Sequence, residues 1–165
     1  MKRRYVVADV FTDTPFLGNP VAVVIDAEGM STEQMQRVAV EFGYSETTFV
    51  LPPENAANTA RVRIFTPSRE IPFAGHPNVG TAYVLAQNAI MNGQALPDAL
   101  HFEEIAGLVP VRLLVPATRF VDACRIYRAF ARLCRLMARY PSMHIPPIRV
   151  KMPPAICRRA CLLPV

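Results

Sequence analysis

The stretch Phe42-Gly43-Tyr44-Ser45-Glu46-Thr47-Thr48-Phe49-Val50-Leu51-Pro52-Pro53 carries three structural signals in succession. Before it, Met35, Val38, Ala39 and Phe42 recur at spacings of three and four, one apolar stripe of a helix. Gly43 ends that helix, because glycine takes the left-handed conformation at no steric cost. Thr47 to Leu51 is β-branched and aromatic, a strand signal, and Pro52-Pro53 stops it. The helix start is equally local: Ser31 can cap, and Gln34 stands three residues on, the capping-box spacing. A helix followed at once by a strand leaves Glu46 at the junction.

Other elements follow on either side. Arg4 to Phe11 alternates loosely and reads as a strand. Asp13, Pro15, Gly18 and Pro20 mark a loop. Val21 to Ile25 is a continuous apolar strand suited to burial on both faces. Ala60 to Thr66 alternates Arg61, Val62, Arg63 and Ile64, a half-exposed strand, and Ser68 to Pro72 is a polar turn. A second helix is expected from Asn78 to about Ala89, with Pro77 in its first turn, where a missing N–H costs nothing. Leu100 to Glu104 and Leu108 to Leu113 read as a hairpin around Ala106-Gly107. Residues 1–110 contain no internal repeat.

The charge is unevenly distributed. Lys and Arg number 18 against 13 Asp and Glu over 165 residues, a net +5. Residues 1–110 hold seven basic and twelve acidic residues, whereas residues 111–165 hold eleven basic residues and one acid, Asp122. All seven glycines lie at or before Gly107, and all four cysteines (Cys124, Cys134, Cys157, Cys161) lie after it. The 52% hydrophobic content excludes a disordered chain. No apolar run approaches the ~18–20 residues of a membrane span, and Asp9 interrupts the apolar N-terminal run before it could serve as a signal peptide. A soluble cytoplasmic chain is expected, with its cysteines reduced and incidental.

Two residues could carry chemistry. Partial burial at the helix–strand junction would suit Glu46 to hold and pass a proton. The ordinary alternative is a solvated loop carboxylate. His76, in Gly75-His76-Pro77, stands at a helix N-terminus, where free N–H groups and the helix dipole favour an anion such as a substrate carboxylate. Gly75 would let that anion approach the backbone closely. A capping or packed histidine is the alternative. The first 110 residues contain no cysteine, so a thiol nucleophile is absent there. His76 and His101 have no partner at zinc spacing, and no phosphate-binding or dinucleotide glycine motif occurs. A site built on these residues is expected to use acid/base groups with no cofactor and no metal.

Five motifs occur in order: Asp9-Val10-Phe11-Thr12; Pro15-Phe16-Leu17-Gly18-Asn19-Pro20-Val21-Ala22-Val23-Val24; Phe42 to Val50; Arg63-Ile64-Phe65-Thr66-Pro67; and Pro72-Phe73-Ala74-Gly75-His76-Pro77. Over residues 1 to about 112 the chain resembles the phenazine-biosynthesis isomerase (PhzF-like) family. That resemblance implies an α+β architecture, the N-terminal lobe of a diaminopimelate epimerase-like fold, with a mixed sheet wrapped on a central helix. It implies an active site between two similar lobes and a cofactor-free hydrogen shift on a small carboxylate-bearing substrate, as on a dihydro-hydroxyanthranilate ring. It makes Glu46 the general acid/base and Gly75 and His76 substrate-binding residues, with Asn19 carried over from the Gly-Asn-Pro motif. Related epimerases place a catalytic cysteine in the region matched by Gly75-His76, so thiol epimerisation is not expected.

The resemblance implies two segments, residues 1–112 as the lobe and 113–165 as a basic tail. Family members continue into a second lobe with a Thr-Gly-Ser-Ala type motif facing the glutamate, yet residues 113–165 contain no glycine. Their Arg, Pro, Ala and Cys content resembles a GC-rich gene read out of frame, so a frameshifted or truncated remnant with little or no activity is expected. The alternative is a non-catalytic binding module. Arg125, Arg128, Arg132, Arg135 and Arg139 would form one basic stripe on a helix, able to meet an anionic membrane surface or nucleic acid. The acidic lobe makes a nucleic-acid partner a poor expectation, and an uncovered lobe face favours self-association, a homodimer included. Beyond Tyr140, five of the prolines (Pro141, Pro146, Pro147, Pro153, Pro154) argue against regular structure.

Overall fold

The computed structural model describes residues 2–12, 14, 16–114, 148–151 and 159–164. Strands β1 (Lys2–Val10) and β2 (Asn19–Val24) precede helix α1 (Thr32–Phe42). Then come β3 (Thr47–Leu51), β4 (Ala60–Phe65), β5 (Glu70–Ile71), α2 (Gly75–Met91), β6 (Ala99–Glu104) and β7 (Gly107–Leu114). Two further strands are β8 (Ile148–Lys151) and β9 (Arg159–Pro164). All nine strands join one sheet in the order β8-β7-β6-β4-β3-β2-β1-β9, with β5 attached to β4. The sheet is mixed: β2 and β3 run parallel, as do β4 and β6, while β1–β2, β3–β4 and β6–β7 are antiparallel.

Helix α1 forms as its local signals require. Ser31 accepts from the Gln34 N–H at 3.2 Å, and the Gln34 side chain returns a bond to the Ser31 N–H at 2.9 Å, closing the capping box. Gly43 ends it at φ 64°. Met35 and Ala39 are buried against β3 and β4 with Phe49 and Phe65, whose rings meet edge to face at 5.3 Å.

Helix α2 occupies the other face. It contacts β1, β2 and β3 but also β7 and β8. Strands from both halves of the sheet order thus meet one helix, so the sheet curls around it. Its core partners include Val10, Val21, Val62, Ile64, Phe102 and Val109. The helix lies close because Gly80 has no Cβ; one there would strike the Val21 side chain. β2 and β3, between the two helices, are buried over most of their length.

Three sequence expectations change. The polar turn after Pro67 contains β5, whose two residues pair with Ile64 and Phe65. Helix α2 begins at Gly75, three residues earlier than expected, so His76 lies within its first turn. In the basic segment, Ile148–Lys151 pairs with β7 and Arg159–Pro164 with β1. Both runs are free of proline before Pro164, and they occupy the unpaired edges that β7 and β1 would otherwise present. Pro153 and Pro154 fall between these strands, outside the described residues. The basic stripe Arg125–Arg139, Pro141, Pro146, Pro147 and the cysteines Cys124, Cys134 and Cys157 also lie outside them. No helix among the described residues is long and apolar enough to cross a membrane.

Candidate active site

Glu46 stands between the C-terminal end of α1 and the start of β3, and His76 in the first turn of α2. Glu46 Oε2 lies 3.4 Å from His76 Nε2, with the side chains 19% and 11% exposed. Neither atom has an aligned hydrogen-bond partner. Burial lowers the basicity of His76; the Glu46 charge and the Pro20 carbonyl act against that fall. With one imidazole nitrogen donating to Pro20, neutral His76 turns a lone pair toward Glu46. One added proton on His76 Nε2 would join the two side chains through a hydrogen bond.

The other two expected residues are placed differently. Gly75 is buried as the first residue of α2. Its N–H, with those of the next residues that carry one, forms the positive end of the helix. Asn19 is exposed at the start of β2, paired with Val10. It enters the site through its neighbour Pro20, whose carbonyl meets His76. The preceding loop holds Phe11 and Phe16 in left-handed conformations, φ 66° and 67°. The Asp9 carboxylate accepts the Phe16 N–H at 2.9 Å.

Sequence reasoning missed several polar groups around the first turn of α2. Both amide atoms of Asn78 and both carboxylate oxygens of Glu104 are buried without a hydrogen-bond partner, like Glu46 Oε2 and His76 Nε2. Such atoms are costly to bury unless they find a partner. One signal was available for Glu104: Leu100, Phe102 and Glu104 share a face at the two-residue period of β6. Among the described residues, no group of three His, Cys, Asp or Glu could hold a metal ion.

Known proteins share this framework. The chain is 52% identical over 113 residues to an uncharacterized isomerase of Mesorhizobium japonicum, covering 68% of this chain and 36% of that protein. It is 48% identical over 110 residues to the trans-2,3-dihydro-3-hydroxyanthranilate isomerase of Pseudomonas aeruginosa, covering 67% and 37%. A solved PhzF-family protein of Bacillus anthracis superposes with a TM-score of 0.63 at 35% identity, over 71% of this chain and 38% of that one. The chain therefore spans little more than a third of these relatives. The α+β architecture is that of part of the PhzF fold. Residues 8–128 match the model of the phenazine biosynthesis-like proteins, and with most of its length inside that match the chain belongs to the PhzC-PhzF family.

Proposed function

We propose that the chain is the first lobe of a PhzF-type isomerase, residues 1–112, and that Glu46 and His76 form the acid/base pair of a hydrogen shift. The observation that carries this reading is the 3.4 Å approach of two mostly buried side chains at the positive end of α2, whose facing atoms, Glu46 Oε2 and His76 Nε2, have no other hydrogen-bond partner. The substrate is a small ring-bearing carboxylate of the dihydro-hydroxyanthranilate type, the compound named in the Pseudomonas aeruginosa relative. Its carboxylate would meet the free N–H groups at Gly75 and His76. Glu46 would remove a ring proton, share it with His76 and return it at another carbon. Gly75 and Asn19 shape the entrance. The reaction needs no cofactor, because proton removal and return conserve the electron count.

The glycine-containing motif that would face Glu46 from a second lobe is missing from residues 113–165, so we expect little or no turnover from this chain alone. Binding is tested first. Anthranilate, a stable aromatic carboxylate, should shift the His76 imidazole resonance, and no shift would overturn the reading of the site. Turnover of trans-2,3-dihydro-3-hydroxyanthranilate is followed next. Isomerisation lost in Glu46→Gln would overturn the expected inactivity and support Glu46. Isomerisation retained in that variant would remove Glu46 from the mechanism.

A further inference from the structure

Glu103 and Glu104 are neighbours on β6 with opposite fates. Glu103 points away from the core and accepts three hydrogen bonds, from the Glu54 N–H at 2.6 Å, the Asn55 N–H at 2.9 Å and Asn58 Nδ2 at 2.7 Å. These donors hold its carboxyl below the usual range. Glu104 points inward, in line with buried Leu100 and Phe102. Both its oxygens are buried and unbonded. Burial pushes its pKa up to about 8, and the Asn78 side chain, lying against it, opposes that rise. Asn78 is itself wholly buried with both amide atoms unbonded.

Among the described residues, no charge lies near Glu104 that would explain its burial. Its cross-strand partner on β7 is Gly107, without a side chain. Arg61 and Arg63 of β4 are engaged by Glu54 and Glu70 on the opposite face from the core residues Val62 and Ile64. α2 presents Asn78, and the Ala106 N–H donates to the Pro72 carbonyl at 3.1 Å, tying the β6–β7 turn to the segment that enters α2.

We propose that Glu104 and Asn78 form a carboxylic acid–carboxamide pair that positions the first turn of α2, and His76 with it, against the sheet. The chemistry is complementary. A neutral carboxyl O–H donates to Asn78 Oδ1, while Asn78 Nδ2 donates to the carboxyl C=O, so both amide atoms and both carboxyl oxygens are satisfied at once. An ionised Glu104 could accept one bond but would leave Asn78 Oδ1 without a donor. Asn78 is the fourth residue of α2, two after His76, so a change at this pair is carried to the imidazole by the shared helical turn. Glu104 is a positioning residue. Its importance for catalysis rests on the reading of Glu46 and His76 above, but its protonation does not.

The test is a carbon-13 titration of the full chain, with the Glu104 carboxyl resonance assigned by its loss in Glu104→Gln. A midpoint near 8 is expected, and an ordinary midpoint near 4.5 would overturn the proposal. The His76 imidazole resonance should show a second step that tracks the Glu104 midpoint, and Glu104→Gln, which keeps one donor and one acceptor in a neutral group, should lack it. A second step that persists in Glu104→Gln would overturn the positioning role. If that variant fails to fold, Asn78→Ala assigns the resonance instead, by moving its midpoint, and the wild-type titration decides. Absence of isomerase turnover would leave these titrations intact, so failure of the proposed function is distinguishable from failure of the pair.

Discussion

The Thr48 and Thr81 hydroxyls lie 2.8 Å apart in the buried seam between β3 and α2. Thr48 follows Glu46 by two residues in the chain, and Thr81 follows His76 by five on the helix. Their bond therefore fixes the sliding register of β3, which starts beside Glu46, and α2, which carries His76. One hydroxyl donates to the other, so the two depend on each other. Removing one deprives the other of this buried partner, whereas removing both removes that penalty.

Thr48→Val and Thr81→Val, each nearly isosteric, should each destabilise the chain by about 1–3 kcal/mol. The double variant should lose markedly less than the sum. Urea unfolding of all four proteins measures the coupling. Strictly additive losses would mean that the two hydroxyls do not depend on each other.

The Glu46 charge supports the protonated form of His76 against burial. Glu46→Gln removes that support, so the His76 midpoint should fall further below 6.5. Proton NMR of the imidazole reads the change directly, and a rise would contradict the packing of the pair. The stability consequence has a definite sign. His76 binds its proton less readily folded than unfolded, so its contribution is full above pH 6.5. It is lost as pH falls from 6.5 toward the lowered folded midpoint.

Glu104 has the opposite dependence, because a buried acid with a raised midpoint favours the folded state only while the unfolded chain is also protonated. Stability should decline as pH rises from about 4.5 to about 8 and level off above it, by on the order of 1.4 kcal/mol per unit of difference between the two midpoints. Glu104→Gln should flatten that decline. Thermal melts across the range would show the wild-type slope persisting in the variant if another group were responsible.

What the sequence revealed follows the distance over which each feature is decided. Helix α1 was readable to its caps because Ser31, Gln34 and Gly43 act on their own turns. Ser31→Ala should accordingly cost about 1 kcal/mol in chemical denaturation. β5 was invisible, since Glu70-Ile71 is a strand only by virtue of Ile64 and Phe65. The segments at 148–151 and 159–164 were read against strand formation from their proline-rich setting, while the edges of β7 and β1 decided otherwise. At the candidate site, Glu46, Gly75 and His76 carried motif signals. Thr81 carried none, because its partner is 33 residues away. Asn78 sat inside an expected helix, with no clue that an inward glutamate from β6 would meet it.

Gly80 offers the sharpest separation of local preference from packing. Alanine favours a helix interior over glycine by about 1 kcal/mol, so Gly80→Ala would stabilise α2 if the position were open. A Cβ there would instead strike the Val21 side chain and lie 3.1 Å from Val10 Cγ2. Val21 is fully buried within β2 and has no free direction in which to yield. The substitution should therefore destabilise the chain by about 1–3 kcal/mol, as overpacking does. Gly80 is four residues beyond His76 on the same helix, so pushing α2 off the sheet should also move the imidazole relative to Glu46. The His76 titration midpoint should change together with stability. Adding Val21→Ala makes room for the new methyl, and the double variant should be more stable than the sum of the two single losses allows. A Gly80→Ala protein more stable than the parent would show that α2 does not sit as closely on β2 as this packing requires.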